Sequence, residues 1–206
     1  SQFTIALLLE LCHKIGHHDE AVRAGRWQTC GSFCFWDTPQ VCLEGKTMGI
    51  YGFGHIGRAV GRIAKALGMN VLACNRSHCP EGEEIAEYVS FDELLRRSDV
   101  LSLHCPLTEE TRHIIDAASI AQMKKGVTII NTSRGALVNT EDLITGIKDK
   151  KVGAACLDVY EEEGDFFYED FSGHIVQDDK LVRLIAMPNV IVTSHQAFLT
   201  QEALDS

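Results

Sequence analysis

The sequence predicts an α/β domain built on a doubly wound parallel sheet of the Rossmann type. From Gly45 onward, short runs rich in β-branched residues alternate with stretches of helical periodicity, the pattern of repeated strand–helix–strand units. A glycine-rich turn joins the first of these runs to the first helical stretch. With 206 residues, 45% of them apolar, the chain is long enough to bury a substantial core.

Six strands with four helices between them account for most of the chain after Gly45. Asn139 and Thr140 are candidate caps of the last of these helices, whose first turn carries two acidic residues that the helix dipole favours. The predicted strands are residues 47–51, 70–74, 100–104, 127–131, 154–157 and 190–193. The predicted helices are residues 55–67, 91–97, 116–123 and 140–149.

The segments at the two ends of the chain do not belong to the repeating pattern. Residues 3–23 predict one helix, because Ile5, Leu8 and Cys12 fall on a single apolar stripe. Residues 25–42 predict a long loop with aromatic anchors, and a loop of that length usually packs onto something or serves a function. A further helical pattern starts at Thr200, so we expect both ends to be cut from a larger protein.

Charge and cysteine usage exclude several classes of function. With 19 basic and 29 acidic residues, the net charge of −10 argues against a nucleic-acid or anionic membrane partner. The longest apolar stretch, residues 5–9, is far too short to span a bilayer. Eight scattered cysteines without a paired motif predict reduced thiols and a cytoplasmic protein. We expect no metal, since adjacent His17 and His18 would point about 100 degrees apart on a helix.

The glycine-rich turn at residues 52–57 has the spacing of a dinucleotide-binding site. Gly52 allows the tight turn, Gly54 lets the backbone approach a pyrophosphate, and Gly57 allows close packing of helix on strand. The helix that starts near His55 and Ile56 would present its free N–H groups to the phosphates. The alternative is an ordinary structural turn.

Reactive side chains follow three other predicted strands, at residues 131–135, 158–163 and 194–198. Open α/β sheets bind ligands beyond the carboxyl ends of their strands, so Arg134, a carboxylate and His195 are expected to converge on one crevice. A guanidinium can bind a carboxylate through two parallel hydrogen bonds, and a histidine beside an acid can exchange protons near neutral pH. The alternatives are a surface ion pair, a solvated acidic face and a histidine that caps a loop.

Four motifs extend this pattern into a family resemblance. In order along the chain, they are LHCPLT at 103–108, NTSRG at 131–135, DVYE at 158–161 and HQAF at 195–198. With them, essentially the whole chain resembles the D-isomer specific 2-hydroxyacid dehydrogenases. The second half, with residues 164–168, 187–190 and 195–200, looks most like the D-lactate dehydrogenase branch, and residues 33–53 look closer to glycerate or hydroxypyruvate reductases.

The resemblance implies a catalytic set of Arg134, Glu163 and His195. The glutamate is assigned by its spacing of five residues from Asp158, and the neighbouring Glu161 and Glu162 are alternatives. Arg134 would bind the substrate carboxylate. Phe198 would contact the substrate side chain or belong to the core.

The same resemblance implies a set of cofactor contacts. Asp158 is expected to hydrogen-bond the nicotinamide carboxamide, and Cys105 and Pro106 are expected to line the adenine pocket. The full set of expected cofactor contacts is Gly52, Gly54, His55, Ile56, Gly57, Asn75, Arg76, Ser77, His104, Cys105, Pro106, Thr132, Ser133 and Asp158.

The end of the second strand departs from the NAD pattern. NAD-binding sites usually place a carboxylate there to accept from the ribose 2′-hydroxyl, but this chain has Asn75, followed by Arg76 and Ser77. An arginine without that carboxylate suits a 2′-phosphate, so the sequence favours NADP over NAD, or use of both. The alternative is a surface arginine beside an NAD site that tolerates asparagine.

Relative to the family, most of a separate substrate domain is absent from this sequence. The resemblance therefore divides the chain into an interdomain linker helix (residues 1–24), a dinucleotide-binding domain (25–194) and the start of a return towards the substrate domain (195–206). This piece alone is expected to be inactive. The family usually forms homodimers through this domain, and a homodimer is expected here.

The function implied is hydride transfer between a nicotinamide and a small 2-keto or 2-hydroxy acid, with pyruvate and D-lactate as the expected pair. Three alternatives remain open. The first is a hydroxypyruvate or glyoxylate reductase, and the second is a nicotinamide-sensing transcriptional corepressor of the same superfamily. The third is a stand-alone binding module, which would bind the cofactor without turnover.

Overall fold

The computed structural model describes residues 1–163 and 178–205. Its centre is a parallel sheet of seven strands in the order β3-β2-β1-β4-β5-β6-β7, which confirms the doubly wound α/β prediction. Residues 164–168, part of the resemblance to the D-lactate dehydrogenase branch, lie outside the described residues. The strands are β1 (Thr47–Tyr51), β2 (Asn70–Cys74), β3 (Glu87–Tyr88), β4 (Val100–Leu103), β5 (Val127–Asn131), β6 (Val152–Leu157) and β7 (Val190–Val192).

Helices precede the sheet, connect its strands and follow it. A short 3₁₀ helix, Gly135–Leu137, comes after β5. The α-helices are α1 (Gln2–His13), α2 (Ile15–Arg23), α3 (Arg26–Thr29), α4 (His55–Ala66), α5 (Pro80–Glu83), α6 (Phe91–Arg97), α7 (Ala117–Gln122), α8 (Thr140–Lys148), α9 (Asp179–Ile185) and α10 (Gln201–Leu204). Among the described residues, none of these helices is both long and apolar enough to cross a membrane.

The prediction of a single helix over residues 3–23 is wrong, because the helix is interrupted at Lys14. This residue adopts a left-handed conformation, with φ 49° and ψ 47°, and its ammonium donates to the carbonyl oxygen of Pro188 at 3.1 Å. Gly16, two residues on, donates its N–H to the carboxylate of Glu10 at 3.3 Å. An apolar stripe indicates which face of a helix is buried, but it does not indicate where a local turn interrupts the helix.

Several boundaries also differ from the prediction. The strand β3 was missed because two residues are too few to show a periodicity. The predicted strands 100–104 and 190–193 each end one residue too late, and 154–157 begins two residues too late. The predicted loop 25–42 contains the one-turn helix α3, and α5, α9 and the 3₁₀ helix were not predicted.

Both faces of the sheet are covered, which explains why the central strands are mostly apolar. One face carries Leu101, Leu103 and Ile129 and packs beneath α6, α7 and α8. The other carries Met48 and Ile50 and packs beneath α1 and α4. Helix α1 is therefore part of the core of this domain, with its apolar stripe buried against β5 and β6.

The parallel arrangement fixes where the site lies. All strand pairs run parallel, so the loops after β1, β4, β5, β6 and β7 leave the sheet at the same edge. These five loops contain the glycine turn and the three segments with reactive side chains. The amino-terminal ends of the strands form the opposite edge.

The contact between β1 and α6 gives a test of the packing. A methyl group at Gly49 would lie 1.9 Å from the Ser98 hydroxyl oxygen and 3.2 Å from a methyl of Leu94. Because this contact is buried, we expect Gly49→Ala to lower the free energy of unfolding by about 1–3 kcal/mol in urea denaturation. Gly16→Ala, on the exposed helix α2, is the matched control and should cause no loss. Wild-type stability of Gly49→Ala would show that α6 is not tightly packed on β1.

Candidate active site

The glycine turn after β1 packs directly on the backbone that follows β4. Gly52 has φ 93°, and a Cβ there would lie 2.6 Å from the carbonyl carbon of His104 and 2.6 Å from the backbone nitrogen of Cys105. A side chain is excluded both by the backbone conformation and by the available space. The turn therefore lies between neighbouring strands at the point where the strand order reverses, the usual position of a ligand crevice in such sheets.

The start of helix α4 leaves room for an anion. Its N-cap is Gly54, which offers no side chain to the first turn, and a Cβ at Gly54 would meet nothing within 4 Å. His55 and Ile56 are exposed, whereas a Cβ at Gly57 would lie 2.3 Å from the carbonyl oxygen of Gly52. Uncapped N–H groups and the positive end of the helix dipole face this open space. These residues thus fit the diphosphate of a dinucleotide.

The residues after β2 adjoin this turn through Asn75. Its side-chain oxygen accepts from the backbone N–H of Phe53 at 3.1 Å, and its amide nitrogen donates to the carbonyl oxygen of Ser77 at 2.7 Å. Arg76 and Ser77 are exposed beside it. Asn75 therefore supports the glycine turn, a role that the sequence did not indicate, and Arg76 places a cation near the turn.

His104 and Cys105 form the wall contributed by the loop after β4. The His104 Nε2 lies 2.8 Å from the Ser102 hydroxyl, and burial lowers the pKa of His104 to about 4, so the ring is neutral at pH 7. Burial raises the pKa of the Cys105 thiol to about 11, so this side chain stays uncharged. Pro106, the next residue, is exposed. The wall is suited to an uncharged group such as a nucleotide base.

Asn131, at the end of β5, shapes the loop that carries the candidate arginine. Its buried amide accepts from the N–H of Ser133 at 3.1 Å and donates to the carbonyl oxygen of Arg134 at 2.9 Å. The Thr132 hydroxyl lies 3.1 Å from that of Thr4 on α1. Arg134 is exposed, and its guanidinium donates to the carbonyl oxygen of Ser133 at 2.7 Å. Asn131 opens the predicted segment 131–135, but its role in shaping the loop was not predicted, although an amide at the end of an apolar strand was a usable signal.

The loops after β5 and β6 touch through their backbones. A Cβ at Gly135 would lie 2.0 Å from the carbonyl oxygen of Tyr160 and 2.6 Å from the nitrogen of Glu161. The residue that follows Arg134 is thereby held against residues 158–163, the acidic segment. This contact places the loop that carries Arg134, the arginine loop, beside the segment that supplies the candidate carboxylate.

Within the acidic segment, Glu163 is the glutamate that lies beside His195. The distance between Glu163 Oε1 and His195 Nδ1 is 3.2 Å, and Glu163 Oε2 accepts from the backbone N–H of Tyr160 at 3.1 Å. Both side chains are mostly buried. The Phe198 ring meets the His195 ring edge-on, with centroids 5.9 Å apart. A carboxylate in this position stabilises a charged imidazole.

The two alternative glutamates, Glu161 and Glu162, contact partners other than His195. Glu161 lies 2.5 Å from the Nε2 of His113 and accepts from the backbone N–H of Thr140 at 3.1 Å. Burial raises the pKa of Glu161, but hydrogen bonds from Thr140 and His113 outweigh burial and hold it below its usual range. Glu162 pairs with Lys180 at 2.8 Å. Geometry therefore separates three consecutive glutamates that the sequence could rank only by spacing.

Asp158 holds the loop that carries His195. One carboxylate oxygen accepts from the Thr193 hydroxyl at 2.6 Å and from the N–H of Gln196 at 3.0 Å, and the other accepts from the N–H of Ala197 at 2.8 Å. The Asp158 carbonyl also accepts from the N–H of His195 at 2.7 Å. The Asp158 side chain is almost completely buried, with 1% of its surface exposed. Its contacts with the loop were not indicated by the sequence. Its expected contact with a nicotinamide carboxamide remains a prediction.

The paired histidines at the start of the chain have other partners. His17 Nε2 lies 2.6 Å from a carboxylate oxygen of Asp37, and the His18 ring contacts the Phe35 ring edge-on at 5.7 Å. Within residues 1–163 and 178–205, no group of three or more His, Cys, Asp or Glu side chains is arranged to hold a metal ion.

Comparison with known proteins finds relatives over nearly the whole chain. Residues 5–197 match the family model described as D-isomer specific 2-hydroxyacid dehydrogenase, NAD binding domain. A hydroxypyruvate reductase from Blautia hydrogenotrophica is 45% identical over 203 residues, which are 98% of this chain and 59% of that protein. The D-lactate dehydrogenase of Escherichia coli is 49% identical over 165 residues, which are 80% of this chain and 50% of that protein.

A solved structure extends the match to three dimensions. The D-lactate dehydrogenase with NAD⁺ from Lactobacillus jensenii superposes with a TM-score of 0.83 at 33% identity, over 99% of this chain and 60% of that one. The chain thus spans about half to three fifths of the length of these relatives. The match over residues 5–197 and the shared fold show that the chain belongs to the D-isomer specific 2-hydroxyacid dehydrogenase family.

Proposed function

We propose that this chain is the cofactor-binding part of an NAD(P)-dependent D-2-hydroxyacid dehydrogenase that reduces a small 2-keto acid. The observation that carries the proposal is the pairing of Glu163 with His195 at 3.2 Å, on the same sheet edge as the glycine turn. A proton donor and a dinucleotide cradle on one edge are the two parts that such a reduction requires.

His195 is the proposed acid. When bound, the nicotinamide supplies the hydride that reduces the keto carbon. The Nδ1 of His195 faces Glu163, so Nε2 is the atom that donates the proton to the developing alkoxide. The Glu163 carboxylate favours the imidazolium, and its own bond to the Tyr160 N–H fixes its orientation.

Arg134 is the proposed substrate anchor. Its guanidinium is exposed on a loop that Asn131 shapes and that Gly135 holds against the acidic segment. Two parallel hydrogen bonds from this group would grip a substrate carboxylate and help to polarise the neighbouring carbonyl. Phe198, in contact with the His195 ring, would favour a small apolar substrate side chain.

Pyruvate is the keto acid that we propose, with D-lactate as its product. Support comes from the E. coli relative named D-lactate dehydrogenase. The Blautia relative named hydroxypyruvate reductase supports a second candidate, reduction of hydroxypyruvate. Turnover by the full-length protein on a panel of keto acids, including glyoxylate, would separate these substrates and would exclude a corepressor or a stand-alone binding module.

We also propose that residues 1–24, whose first helix packs on this sheet, lead to a separate substrate domain in the full-length protein. The full-length protein is further proposed to be a cytoplasmic homodimer. The exposed aromatic residues before the sheet support self-association, because Trp27 is 53%, Phe33 90% and Trp36 64% exposed. Apolar side chains that protrude in one segment commonly mark an interaction surface.

His195→Ala in the full-length protein tests the proton-transfer role. Turnover of the keto acid should fall about a hundredfold or more, the usual scale of general acid catalysis, because the alkoxide loses its proton donor. Affinity for the cofactor, measured by fluorescence titration, should persist. Turnover close to wild type would remove His195 from the mechanism.

A matched pair of glutamate variants tests the partner of the histidine. Glu163→Gln should shift the kcat of keto-acid reduction downward, because the His195 ring loses the carboxylate that faces its Nδ1. Glu161→Gln is the control, since that carboxylate faces His113 and Thr140. A shift in the control alone would transfer the role to Glu161.

Arg134→Lys keeps the positive charge but removes the planar pair of donors. We expect a higher KM for the keto acid together with a lower kcat, because the carboxylate loses its second hydrogen bond and its orientation. Steady-state kinetics of the full-length variant measure both constants. If both stay at wild-type values, Arg134 is a surface residue.

We further propose that the site accepts NADPH at least as tightly as NADH. Support comes from the exposed Arg76 beside Asn75, where no carboxylate repels a 2′-phosphate. A charge-assisted hydrogen bond contributes about one to two decades of affinity. Arg76→Ala should therefore weaken NADPH about tenfold to a hundredfold and leave NADH unchanged in fluorescence titrations.

Two further variants sharpen the cofactor experiment. Asn75→Asp with Arg76→Ala should reverse the preference to NADH, although the aspartate also loses the donor that binds the Ser77 carbonyl. Arg96→Ala, an exposed arginine on α6, is the matched control and should change neither affinity. A strong preference of the wild-type chain for NADH would contradict the NADP proposal and leave the dehydrogenase proposal intact.

A further inference from the structure

A cavity of about 420 Å³ opens at the edge of the sheet opposite to the candidate active site. It lies between α1, residues 38–46 and the starts of β4, β5 and β6. Its volume is within the usual range for small-molecule sites. None of the residues assigned to the cofactor or the substrate lines this cavity.

Positive charge dominates the lining. Four lysines, Lys14, Lys46, Lys124 and Lys125, face a single acidic residue, Asp99. This excess stands out in a chain whose net charge is −10. Ammonium groups that converge on one cavity repel one another, and a bound anion relieves that repulsion.

Only part of this charge is balanced within the chain. Lys124 pairs with Asp99 at 2.9 Å, and Asp99 also accepts from the backbone N–H of Thr47 at 2.8 Å. Lys14 donates to the carbonyl oxygen of Pro188, which is neutral. In the described part of the chain, the Lys46 and Lys125 ammonium groups make no hydrogen bond and no direct ion pair. The charge of Lys46 acts on the Asp99 carboxylate from a longer distance, and both ammonium groups keep their hydrogen-bond donors available to a ligand.

The remaining wall of the cavity is apolar and includes Leu8, Leu11, Val41 and Leu43. Cys12 also lines it, and burial raises the pKa of this thiol while the nearby charge of Lys46 opposes that effect. A bare inorganic ion would leave the apolar wall unused. The lining therefore suits an organic anion that has a short carbon skeleton.

We propose that this cavity binds a small organic anion carrying two or more carboxylate or phosphate groups, held by Lys46 and Lys125. Lys14 and Lys124 complete the positive rim. The site lies at the amino-terminal edge of the sheet, so its occupation does not depend on the proposed dehydrogenase function.

Calorimetric titration of the chain with citrate at constant ionic strength tests this proposal. Citrate should bind saturably, whereas acetate, with one carboxylate, should bind at least tenfold more weakly. Inorganic phosphate tests the contribution of the apolar wall and should also bind more weakly than citrate. Thermal unfolding should show a parallel rise in Tm with citrate concentration, because a ligand that binds the folded state stabilises it.

Charge-reversal variants locate the site. Lys46→Glu with Lys125→Glu should weaken citrate binding at least tenfold. Lys148→Glu with Lys150→Glu makes the same change in net charge at two exposed residues that do not line the cavity, and this pair should keep wild-type affinity. Should the first pair fail to fold, Lys46→Gln with Lys125→Gln removes the charges more gently and carries the same expectation.

A titration with saturating NADH distinguishes this cavity from the glycine turn, which also suits an anion. Citrate affinity should be unchanged by NADH if the ligand occupies the opposite edge. The proposal is overturned if citrate does not bind saturably, if NADH displaces it, or if both lysine pairs weaken it equally.

Discussion

Direct backbone contact between loops that leave neighbouring parallel strands is the constraint on which the site depends. Gly52 lies against His104, and Gly135 lies against Tyr160, at distances that leave no space for a Cβ. Such contacts fix the spacing of the loops more rigidly than side-chain packing does, because peptide groups have few ways to yield. The glycine turn, the arginine loop and the acidic segment therefore keep fixed positions at one edge of the sheet.

Buried carboxylates then set the position of the histidine. His195 has φ 54°, a conformation that typically costs a non-glycine residue about 1–3 kcal/mol. Three hydrogen bonds from the same loop to the buried Asp158 carboxylate offset this cost, and Glu163 Oε1 lies 3.2 Å from the ring Nδ1. Asp158 determines where the loop runs, whereas Glu163 acts on the charge of the ring. Two acids five residues apart thus have separate physical effects on one imidazole.

The sequence predicted the main strands and the glycine turn, whose patterns are local, and missed several contacts between residues distant along the chain. Strand periodicity and the glycine spacing are local, so the sheet and the turn at Gly52 were predicted with boundaries accurate to about two residues. The break at Lys14 and the support that Asn75 gives to the turn involve partners distant along the chain, which no local pattern reveals. Spacing alone favoured Glu163 over its neighbours, and the separate partner of Glu161 supplies the physical reason.

Helix α1 connects the two edges of the sheet. Near its start, the Thr4 hydroxyl meets that of Thr132 beside the arginine loop, and just beyond its end Lys14 reaches the lysine-lined cavity. A helix rises 1.5 Å per residue, so these ten residues span about 15 Å, roughly the length of a strand. Because the buried face of α1 packs on β5 and β6, the helix cannot shift at one end without moving the other. Helix α1 is therefore one packed element that connects the base of the loop carrying Arg134 with the wall of the lysine-lined cavity.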